Sequence, residues 1–465
     1  MAEDIPGLDW PQLRIHFVAI GGIGMSALAR IAAAKGAAVS GCDSAGSAVL
    51  ADLRGRGITC HVGHSPAHLD GADLVVYSTA VPLDSAEMQA AAARAIPVIH
   101  RGRFLAWLQR GHETVAISGA HGKTTTTWIV ANALIRAGRD PTVAVGGIVG
   151  DLEGNSRCGS GRIFVTEADE SDRSFLELSP RYPVITNIDA DHLDHYSGIS
   201  EIREAFARFA EPAAGGAVIA CIDGPHVSDI LERVRGRKIT CGIGKGDVAA
   251  ENVRLEPGQA VYDAVLPGGT LRDVALSMPG IHNVRNSLAA LALAVELGLP
   301  MDAVRDALAS TSHVGRRLEL RGCERGITVY DDYAHHPAEI AATLEAARML
   351  APKRLVGIFQ PHRYTRTLHL QREFGTAFDR LDLLLIAPIY AASEPPIEGV
   401  SSELIARRVE ELGDVTVELV PDLAAAADRF VAGLEPGDTL ITLGAGNVWE
   451  AGDAVLKNVR PADAA

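Results

Sequence analysis

A lysine and a threonine directly follow a short glycine turn in the stretch Ser118-Gly-Ala-His-Gly-Lys-Thr124. The β-branched residues at 114–117 predict a strand before the turn, and an apolar periodic segment that ends at Gly138 predicts a helix after it. Bare backbone amides and a helix N-terminus bind phosphate, and a lysine adds charge. The loop is shorter than the usual nucleotide loop, because Ile117 stands where its first glycine would be. We expect phosphates to lie against Gly119, Ala120, His121, Gly122, Lys123, Thr124 and Thr125.

Two acidic clusters follow predicted strands in the same part of the chain. The strand at 162–165 leads into Glu167-Ala-Asp-Glu-Ser-Asp172, and the strand at 183–188 leads into Asp189-Ala-Asp-His-Leu-Asp-His195. The carboxyl ends of parallel strands share one edge of a sheet, where the phosphate loop also opens. Hard cations such as Mg²⁺ prefer oxygen ligands beside phosphates. The expected metal ligands are Thr124, Glu167 and His192. The plainer alternative is that the acids only favour helix N-termini.

A second glycine turn follows the first predicted strand, at 14–20, and Asp43 follows the next strand. This is nearly a dinucleotide fingerprint, but Ala19 replaces its first glycine. We expect a nucleotide or sugar diphosphate here more than a nicotinamide cofactor, and a generic helix-capped turn is the structural alternative. Two further strands end in polar pairs that belong to the same predicted edge. The expected ligand-binding residues are Gly21, Gly22, Ile23, Gly24, Met25, Ser26, Asp43, Ser78, Thr79, His100 and Arg101.

Four predicted strands in the last third of the chain each end in a polar loop. These loops are at 331–337, 360–367, 390–394 and 444–447, and they carry His, Arg, Asp and Tyr side chains. Four such strand ends favour a crevice over four surface turns. Arg317, within an arginine pair that precedes this region, is expected to supply charge to ATP phosphates; an exposed linker pair is the alternative.

The length of 465 residues predicts about three domains. The expected α/β fold has a Rossmann-like domain at 1–111, a central P-loop-type ATPase domain with a mainly parallel sheet at 112–320, and a Rossmann-like domain at 321–465. The net charge of −15 argues against nucleic acid as a partner. The six scattered cysteines indicate a reducing compartment. Without a signal peptide or a long apolar span, the protein is expected to be cytoplasmic, with no membrane insertion.

Together these motifs resemble the Mur ligases of bacterial cell-wall synthesis. Ala19 and Ala120 replace residues that are usually Gly and Thr in the family, Ala334 replaces a usual Gly, and Asn447 stands where Asp is common. The matching stretches are Ile20-Gly-Gly-Ile-Gly-Met-Ser26, Gly119-Ala-His-Gly-Lys-Thr124, Glu167-Ala-Asp-Glu-Ser-Asp172, Thr186-Asn-Ile-Asp-Ala-Asp-His192, His282-Asn283 with Asn286, Asp331-Asp-Tyr-Ala-His-His-Pro337 and Phe359-Gln-Pro-His-Arg-Tyr-Thr-Arg366.

The resemblance implies a ligase that uses ATP and Mg²⁺ to join L-alanine to UDP-N-acetylmuramate through an acyl phosphate, as a monomer or homodimer. Its N-terminal domain would bind the UDP-sugar. Asn283 would reach adenine, and Arg317 and Asp332 would face ATP. The amino acid and the carboxylate would be received by Tyr333, His335, Arg363 and Arg366, and the catalytic residues would be Lys123, His192, Arg363 and Arg366. The acidic clusters contain no lysine, so the carbamylated lysine common in other family members is not expected.

Two competing functions remain open from the sequence. A family member that attaches a preformed peptide to UDP-N-acetylmuramate would carry the same phosphate and metal motifs. A nicotinamide-dependent oxidoreductase would use Gly21, Gly24 and Asp43 for its cofactor, but this function leaves Lys123, Thr124 and both acidic clusters without a role.

Overall fold

The computed structural model describes residues 10–191, 195–392 and 394–459, and its contacts divide the chain into two compact units. The first unit contains the described residues up to Val253, together with Tyr262–Leu276 and Asn283–Ser312. The second contains Arg254–Val261, Ser277–His282 and the described residues from His313 onward. Three separate sheets give the chain a three-domain α/β architecture, as predicted. The exact domain boundaries at 111 and 320 remain predictions.

The N-terminal sheet is parallel throughout and has the strand order β3-β2-β1-β4-β5. Phe17 on β1 packs edge-on against Phe104, and both rings are fully buried. The strands are β1 (Arg14–Val18), β2 (Ala38–Asp43), β3 (Thr59–Val62), β4 (Leu74–Tyr77) and β5 (Val98–His100). The helices are α1 (Ile23–Ala34), α2 (Ala48–Gly55), α3 (Ala86–Ala93) and α4 (Arg101–Leu108).

The central sheet has ten strands in the order β15-β14-β13-β12-β11-β10-β6-β9-β7-β8. Its middle strand β6 is almost continuously buried, which is typical of a parallel strand covered on both faces. The strands are β6 (Glu113–Ser118), β7 (Thr142–Val149), β8 (Gly154–Arg157), β9 (Ile163–Glu167), β10 (Tyr182–Ile185), β11 (Ala217–Cys221), β12 (Arg237–Ile243), β13 (Val248–Glu256), β14 (Gln259–Leu266) and β15 (Gly269–Leu276). The helices are α5 (Lys123–Arg136), α6 (Ile199–Phe209), α7 (Val227–Leu231), α8 (Ile281–Leu297) and α9 (Met301–Ala309).

The C-terminal sheet has the order β16-β17-β21-β18-β19-β20, in which only the β16–β17 pair is antiparallel. Its core contains the phenylalanine cluster Phe359, Phe374 and Phe378. The strands are β16 (Glu319–Glu324), β17 (Ile327–Asp332), β18 (Leu355–Phe359), β19 (Leu383–Ile386), β20 (Thr416–Leu419) and β21 (Thr439–Leu443). The helices are α10 (Pro337–Arg348), α11 (Tyr364–His369), α12 (Gln371–Phe374), α13 (Glu403–Leu412), α14 (Leu423–Gly433) and α15 (Trp449–Val459).

Within the three described ranges, no helix combines the length and the hydropathy that crossing a membrane requires.

Helix α1 is fastened to strand β8 by the fully buried side chain of Asn155. Its amide nitrogen donates to the Ile23 carbonyl at 2.5 Å and to Ser26 Oγ at 3.0 Å. Its oxygen accepts from Arg30 Nη1 at 2.7 Å. The glycine turn before α1 is therefore held against the central sheet by hydrogen bonds that no local sequence pattern predicts.

Asn155→Ala is expected to lower the free energy of unfolding by about 1–3 kcal/mol, because it leaves buried polar groups without a partner. Calorimetry should show a lower unfolding temperature for this variant. Asn458→Ala is the matched control, because Asn458 is exposed on α15. Equal unfolding temperatures for the two variants would contradict the assigned role of Asn155.

Candidate functional site

The predicted phosphate loop lies between β6 and α5, and two of its glycines are required by its shape. Gly119 has φ +142° and Gly122 has φ +80°, a backbone region that residues with a Cβ rarely adopt. A Cβ at Gly119 would overlap Thr186 Oγ1, and a Cβ at Gly122 would lie 2.6 Å from Asn286 Oδ1. The turn therefore needs glycine at both positions, as the predicted pattern has it.

Two residues after β10 hold the turn in place. Thr186 Oγ1 donates to the His121 carbonyl at 2.7 Å, and Asn187 Nδ2 donates to the same oxygen at 2.9 Å. Asn187 Oδ1 in turn accepts from the His121 amide at 2.9 Å. The sequence prediction did not assign a site role to Thr186, Asn187 or Asn286. Thr186 and Asn187 could have been found from their position, because they directly follow the strand that neighbours β6.

Lys123 lies against the loop and against the first acidic cluster. Its Nζ donates to the Gly119 carbonyl at 2.7 Å, to the Ala120 carbonyl at 3.3 Å and to Glu170 Oε1 at 2.7 Å. Burial alone would lower the pKa of Lys123, but Glu170, helped by Glu167 and another acid nearby, raises it above its ordinary value. The lysine therefore keeps its positive charge over the full physiological range of pH.

The predicted metal ligands Thr124 and Glu167 lie together. Thr124 Oγ1 is 3.2 Å and 3.0 Å from the two carboxylate oxygens of Glu167, and the Gly146 amide donates to Oε2 at 2.9 Å. A Cβ at Gly146 would overlap that carboxylate, so this glycine is a further constraint that sequence reasoning missed. A hydroxyl and a carboxylate are a suitable donor set for a hard cation. The third predicted ligand, His192, lies outside the described residues.

Arg101 connects the N-terminal domain to the first acidic cluster. Its Nη2 donates to Asp169 Oδ2 at 2.7 Å and to Asp172 Oδ2 at 2.8 Å. Burial would raise the pKa of Asp169, but Arg101 and Lys123 hold it well below its usual range. Arg101, which was predicted from the sequence to bind the nucleotide or sugar diphosphate, is therefore also an ion-pair partner within the first unit.

His100 ends β5 and directly precedes helix α4. Its Nδ1 accepts from the Gly102 amide at 3.2 Å, which makes His100 the N-cap residue. Burial lowers the pKa of His100, although nearby Asp172 opposes the change. The imidazole is therefore predominantly neutral at pH 7.

The N-terminal glycine turn is hydrogen-bonded to Asp43, the acid that follows β2. The Gly21 amide donates to Asp43 Oδ2 at 2.9 Å. Met25 and Ser26 are buried, and Ser26 Oγ donates to the Ile23 carbonyl at 2.9 Å. Of the other predicted residues, Gly22 precedes α1, while Ser78 and Thr79 follow β4, where Ser78 is half-buried and Thr79 is exposed.

One cavity of about 220 Å³ brings the N-terminal turn and the acidic cluster together. Its wall includes Ile23, Gly24 and Arg101 from the N-terminal domain. Glu167 and Asp169 contribute from the central domain. Gly21, Gly22, Asp43, Ser78 and Thr79 do not line this cavity. The residues predicted for a nucleotide-sugar therefore divide into those that line the cavity and those that shape or flank its turn.

In the second unit, Asp332 ends β17 with both carboxylate oxygens occupied. Oδ2 accepts from the Leu318 amide at 2.7 Å and Oδ1 accepts from the Ala334 amide at 2.8 Å. The net effect of burial is to raise the pKa of Asp332 to about 6, although the positive charge of nearby Arg317 opposes this increase. The Arg317 guanidinium lies 5.6 Å from the Tyr333 ring centre, so the predicted residues Arg317, Asp332 and Tyr333 form one group.

His335 continues this group toward the loop after β18. Its ring centre is 5.5 Å from that of Tyr333 and 5.6 Å from that of His362. Arg366 Nη1 lies 3.2 Å from His362 Nδ1. The structure thus brings the predicted amino-acid-binding residues Tyr333, His335 and Arg366 together, with His362 as an unpredicted member between them.

Arg363 lies in the same loop in a strained conformation. Its φ is +72°, and its amide donates to the Tyr390 carbonyl at 2.9 Å. Arg363 Nη1 is 3.8 Å from Glu394 Oε1. Holding a residue with a Cβ in this backbone region costs about 1–3 kcal/mol of conformational strain. Such strain is found preferentially at functional sites.

Asn283, a predicted site residue, and Asn447 both have hydrogen-bond partners nearby. Asn283, at the start of α8, accepts from Asn286 Nδ2 at 3.3 Å, so it adjoins the residue that contacts Gly122. Asn447, the departure from the family pattern, accepts from Gln360 Nε2 at 3.1 Å and donates to Glu450 at 3.1 Å. Asparagine therefore completes a local hydrogen-bond network after β21.

Comparison with protein-family models matches three consecutive parts of the chain. Residues 14–113 match the Mur ligase family catalytic domain, residues 117–294 match the Mur ligase middle domain, and residues 316–446 match the Mur ligase glutamate ligase domain.

Individual relatives extend over almost the whole chain. The UDP-N-acetylmuramate--L-alanine ligase of Geobacter sp. (strain M21) is 46% identical over 453 residues, which cover 97% of this chain and 98% of the relative. The crystal structure of the UDP-N-acetylmuramate-alanine ligase from Thermotoga maritima is 30% identical, with a TM-score of 0.82 over 96% of this chain and 98% of that one. A murein peptide ligase from Psychrobacter arcticus is 25% identical, with a TM-score of 0.73 over 96% and 98% of the two chains.

Gly119→Ala is expected to weaken ATP binding at least tenfold, because the added Cβ overlaps Thr186 Oγ1 and the φ of +142° is unfavourable. Isothermal titration calorimetry measures the change. Gly150→Ala is the control in the same domain, because a Cβ there meets no atom within 4 Å. Unchanged affinity in Gly119→Ala would show that the loop does not need its present backbone shape to bind nucleotide.

Proposed function

The chain belongs to the Mur ligase family, and from that premise we propose that it joins L-alanine to UDP-N-acetylmuramate at the expense of ATP. The products are UDP-N-acetylmuramoyl-L-alanine, ADP and phosphate. This is a step of peptidoglycan synthesis, and we place it in the cytoplasm. The full-length relatives at 42–46% identity carry the corresponding name and lend no support to the peptide ligase or the oxidoreductase.

The observation that carries this proposal is that one glutamate connects two predicted substrate sites. Glu167 contacts Thr124 of the phosphate loop and also lines the cavity that Gly24 and Arg101 reach from the N-terminal domain. A nucleotide phosphate on the loop and a sugar acid in the cavity would therefore lie on either side of the same carboxylate. In-line transfer between two bound substrates requires such proximity.

The first chemical step activates the sugar acid. An oxygen of the lactyl carboxylate forms a bond to the γ-phosphorus of ATP while the bond from that phosphorus to the ADP oxygen breaks. The step gives an acyl phosphate and ADP. Lys123 and the amides of the loop hold the phosphates and offset the charge that moves between them. The raised pKa of Lys123 keeps its ammonium group protonated for this role.

The second step forms the amide bond. The neutral amine of L-alanine attacks the acyl carbon, a tetrahedral intermediate forms, and the bond to phosphate breaks as the nitrogen loses its proton. We assign recognition of the amino acid and of the carboxylate to Tyr333, His335, Arg363 and Arg366. Tyr333 contacts His335, and both His335 and Arg366 contact His362, so three of these side chains belong to one group. Two guanidinium groups are suited to hold carboxylates by charge and directed hydrogen bonds.

The Thr124 hydroxyl and the Glu167 carboxylate would hold magnesium, with His192 as the third proposed ligand. When bound, magnesium supplies positive charge beside the phosphate oxygens. Glu167 is oriented for this role by the Gly146 amide. We also keep Asn283 as the proposed contact to adenine and Arg317 and Asp332 as proposed contacts to ATP.

Lys123→Ala is expected to lower the ligation rate by about a hundredfold or more, on the scale of losing one charge partner in the transition state. Phosphate release with saturating substrates measures the rate. Lys238→Ala is the control, since Lys238 is exposed at the surface. The unfolding temperatures of both variants should be recorded, because Glu170 loses its cation in Lys123→Ala. Near-normal turnover in the folded variant would remove the lysine from the mechanism.

Substrate preference separates the proposed activity from peptide ligation. With ATP and UDP-N-acetylmuramate fixed, phosphate release should be fastest with L-alanine in a panel that also contains glycine, L-serine and the wall tripeptide. The physical reason is that the amine must be presented by a pocket matched to one small amino acid. Faster turnover with the tripeptide would contradict the proposed reaction and would favour attachment of a preformed peptide to the sugar. A reaction without sugar acid as the control should release no phosphate.

A further inference from the structure

A second polar cluster lies within the N-terminal domain, on one face of its sheet. His16 pairs in register with Ser40, and Cys42, two residues further along β2, pairs in register with His61. Residues in register, and residues two apart on a strand, share a face of a parallel sheet. Glu87 approaches this face from α3. Neither the predicted site nor the proposed function uses these side chains.

The side chains of the cluster are within ligand distance of one another. Cys42 Sγ lies 3.0 Å from Glu87 Oε1 and 3.5 Å from His64 Nδ1. Glu87 Oε2 lies 2.8 Å from His64 Nδ1, and Glu87 Oε1 lies 3.5 Å from His68 Nδ1. A ring nitrogen of His16, the sulfur of Cys42 and a carboxylate oxygen of Glu87 all lie within 4.8 Å of one another.

Three members of the cluster are removed from solvent. His16, Cys42 and Glu87 are each 0% exposed. His16 Nδ1 is 2.9 Å from Ser40 Oγ, but its Nε2 is buried with no hydrogen-bond partner within the described ranges. An unsatisfied buried nitrogen costs free energy unless something binds it. This observation is separate from the distances within the cluster, and a bound ion would satisfy the nitrogen.

We propose that His16, Cys42, Glu87 and His64 bind one Zn²⁺-like transition-metal ion. Zinc is bound by thiolate, imidazole and carboxylate together, whereas Mg²⁺ and Ca²⁺ select oxygen donors. Bonds of about 2.0–2.3 Å in a tetrahedral site place neighbouring ligand atoms roughly 3.3–3.8 Å apart. The separations of 2.8–3.5 Å among the Cys42, Glu87 and His64 atoms need only small adjustments to reach that range. The His16 nitrogen lies within 4.8 Å of the Cys42 and Glu87 atoms and has to move closer to them when the ion binds.

Binding requires one change of protonation. The Cys42 Sγ–H bond breaks, the proton leaves to solvent, and the sulfur electron pair forms the bond to the metal. Four protein ligands close the coordination shell, so the site has a structural role and no open position for a substrate. The ion fastens α3 and the connection between β3 and β4 to the sheet. This proposal does not depend on the proposed ligase reaction.

The test uses the untagged full-length protein, freed of metal with a chelator, which is then removed, and titrated with Co²⁺ in excess Mg²⁺ to occupy oxygen sites. We expect one Co²⁺ per chain, with ligand-field absorption in the visible and a thiolate-to-cobalt charge-transfer band in the near ultraviolet. Zn²⁺ should remove both signals by displacement. Cys42→Ser should lose the charge-transfer band, whereas Cys60→Ser should keep it. Cys60 is a buried control on the neighbouring strand.

A second pair of variants covers the case in which Cys42→Ser does not fold. The His64 side chain is 39% exposed, so His64→Ala removes a ligand with little loss of core packing. Losing outer-sphere partners of metal ligands costs roughly 10–100-fold in affinity, so losing a direct ligand should weaken Co²⁺ binding at least tenfold. His369→Ala, an exposed histidine, should bind as the unmodified chain does. No stoichiometric uptake would overturn the proposal in favour of a purely hydrogen-bonded cluster. A charge-transfer band that His64→Ala leaves unchanged in position and affinity would overturn the proposed four-ligand site, because it would remove His64 from the ligands.

Discussion

The largely buried ion pair between Lys123 and Glu170 is the constraint on which the central site depends. A buried ammonium must be paired, because removing a charge from water is costly. If one partner of a buried pair is lost, the other charge remains uncompensated in the low-dielectric interior. Lys123 meets this requirement with two loop carbonyls and one carboxylate. The carboxylate is available because β9 pairs in register with β6 and carries the acidic segment to the same edge. The position of the acid and its charge are therefore set by the pairing of β6 with β9, whereas the shape of the loop depends on the residues that follow β10.

Much of this arrangement could be predicted because its signals are local. The strands that precede the phosphate loop and the acidic segments are short apolar runs, and their observed bounds differ from the predicted ones by only a few residues. The grouping of Lys123, Thr124 and Glu167 could be predicted because each lies at or soon after the end of a strand. Parallel strands bring those ends to one edge of the sheet. The three-domain α/β fold and the family are confirmed. The individual substrate contacts remain predictions.

The residues that sequence reasoning missed have partners far away in the chain. Asn155 supports a helix whose first residue is Ile23, and Gly146 orients a carboxylate on another strand. Neither asparagine nor glycine carries a local pattern that identifies such a partner. The scattered cysteines likewise indicated no metal site, because a ligand set spread over two strands, a connection and a helix has no fixed spacing. Only the register of β1, β2 and β3 brings that set to one face.

Strand β6 lies in the interior of the ten-stranded sheet, but both of its neighbours come later in the chain. Val115 pairs with Val165 of β9 and with Tyr182 of β10, and the turn after β6 is braced by Thr186 and Asn187. A polypeptide leaves the ribosome from its N-terminus, so the glycine turn emerges well before the segments that give it shape. Translation has to pass residue 187 before the nascent protein can assemble an anion-binding turn. During that interval, β6 exposes unpaired hydrogen-bonding edges to other chains and to chaperones.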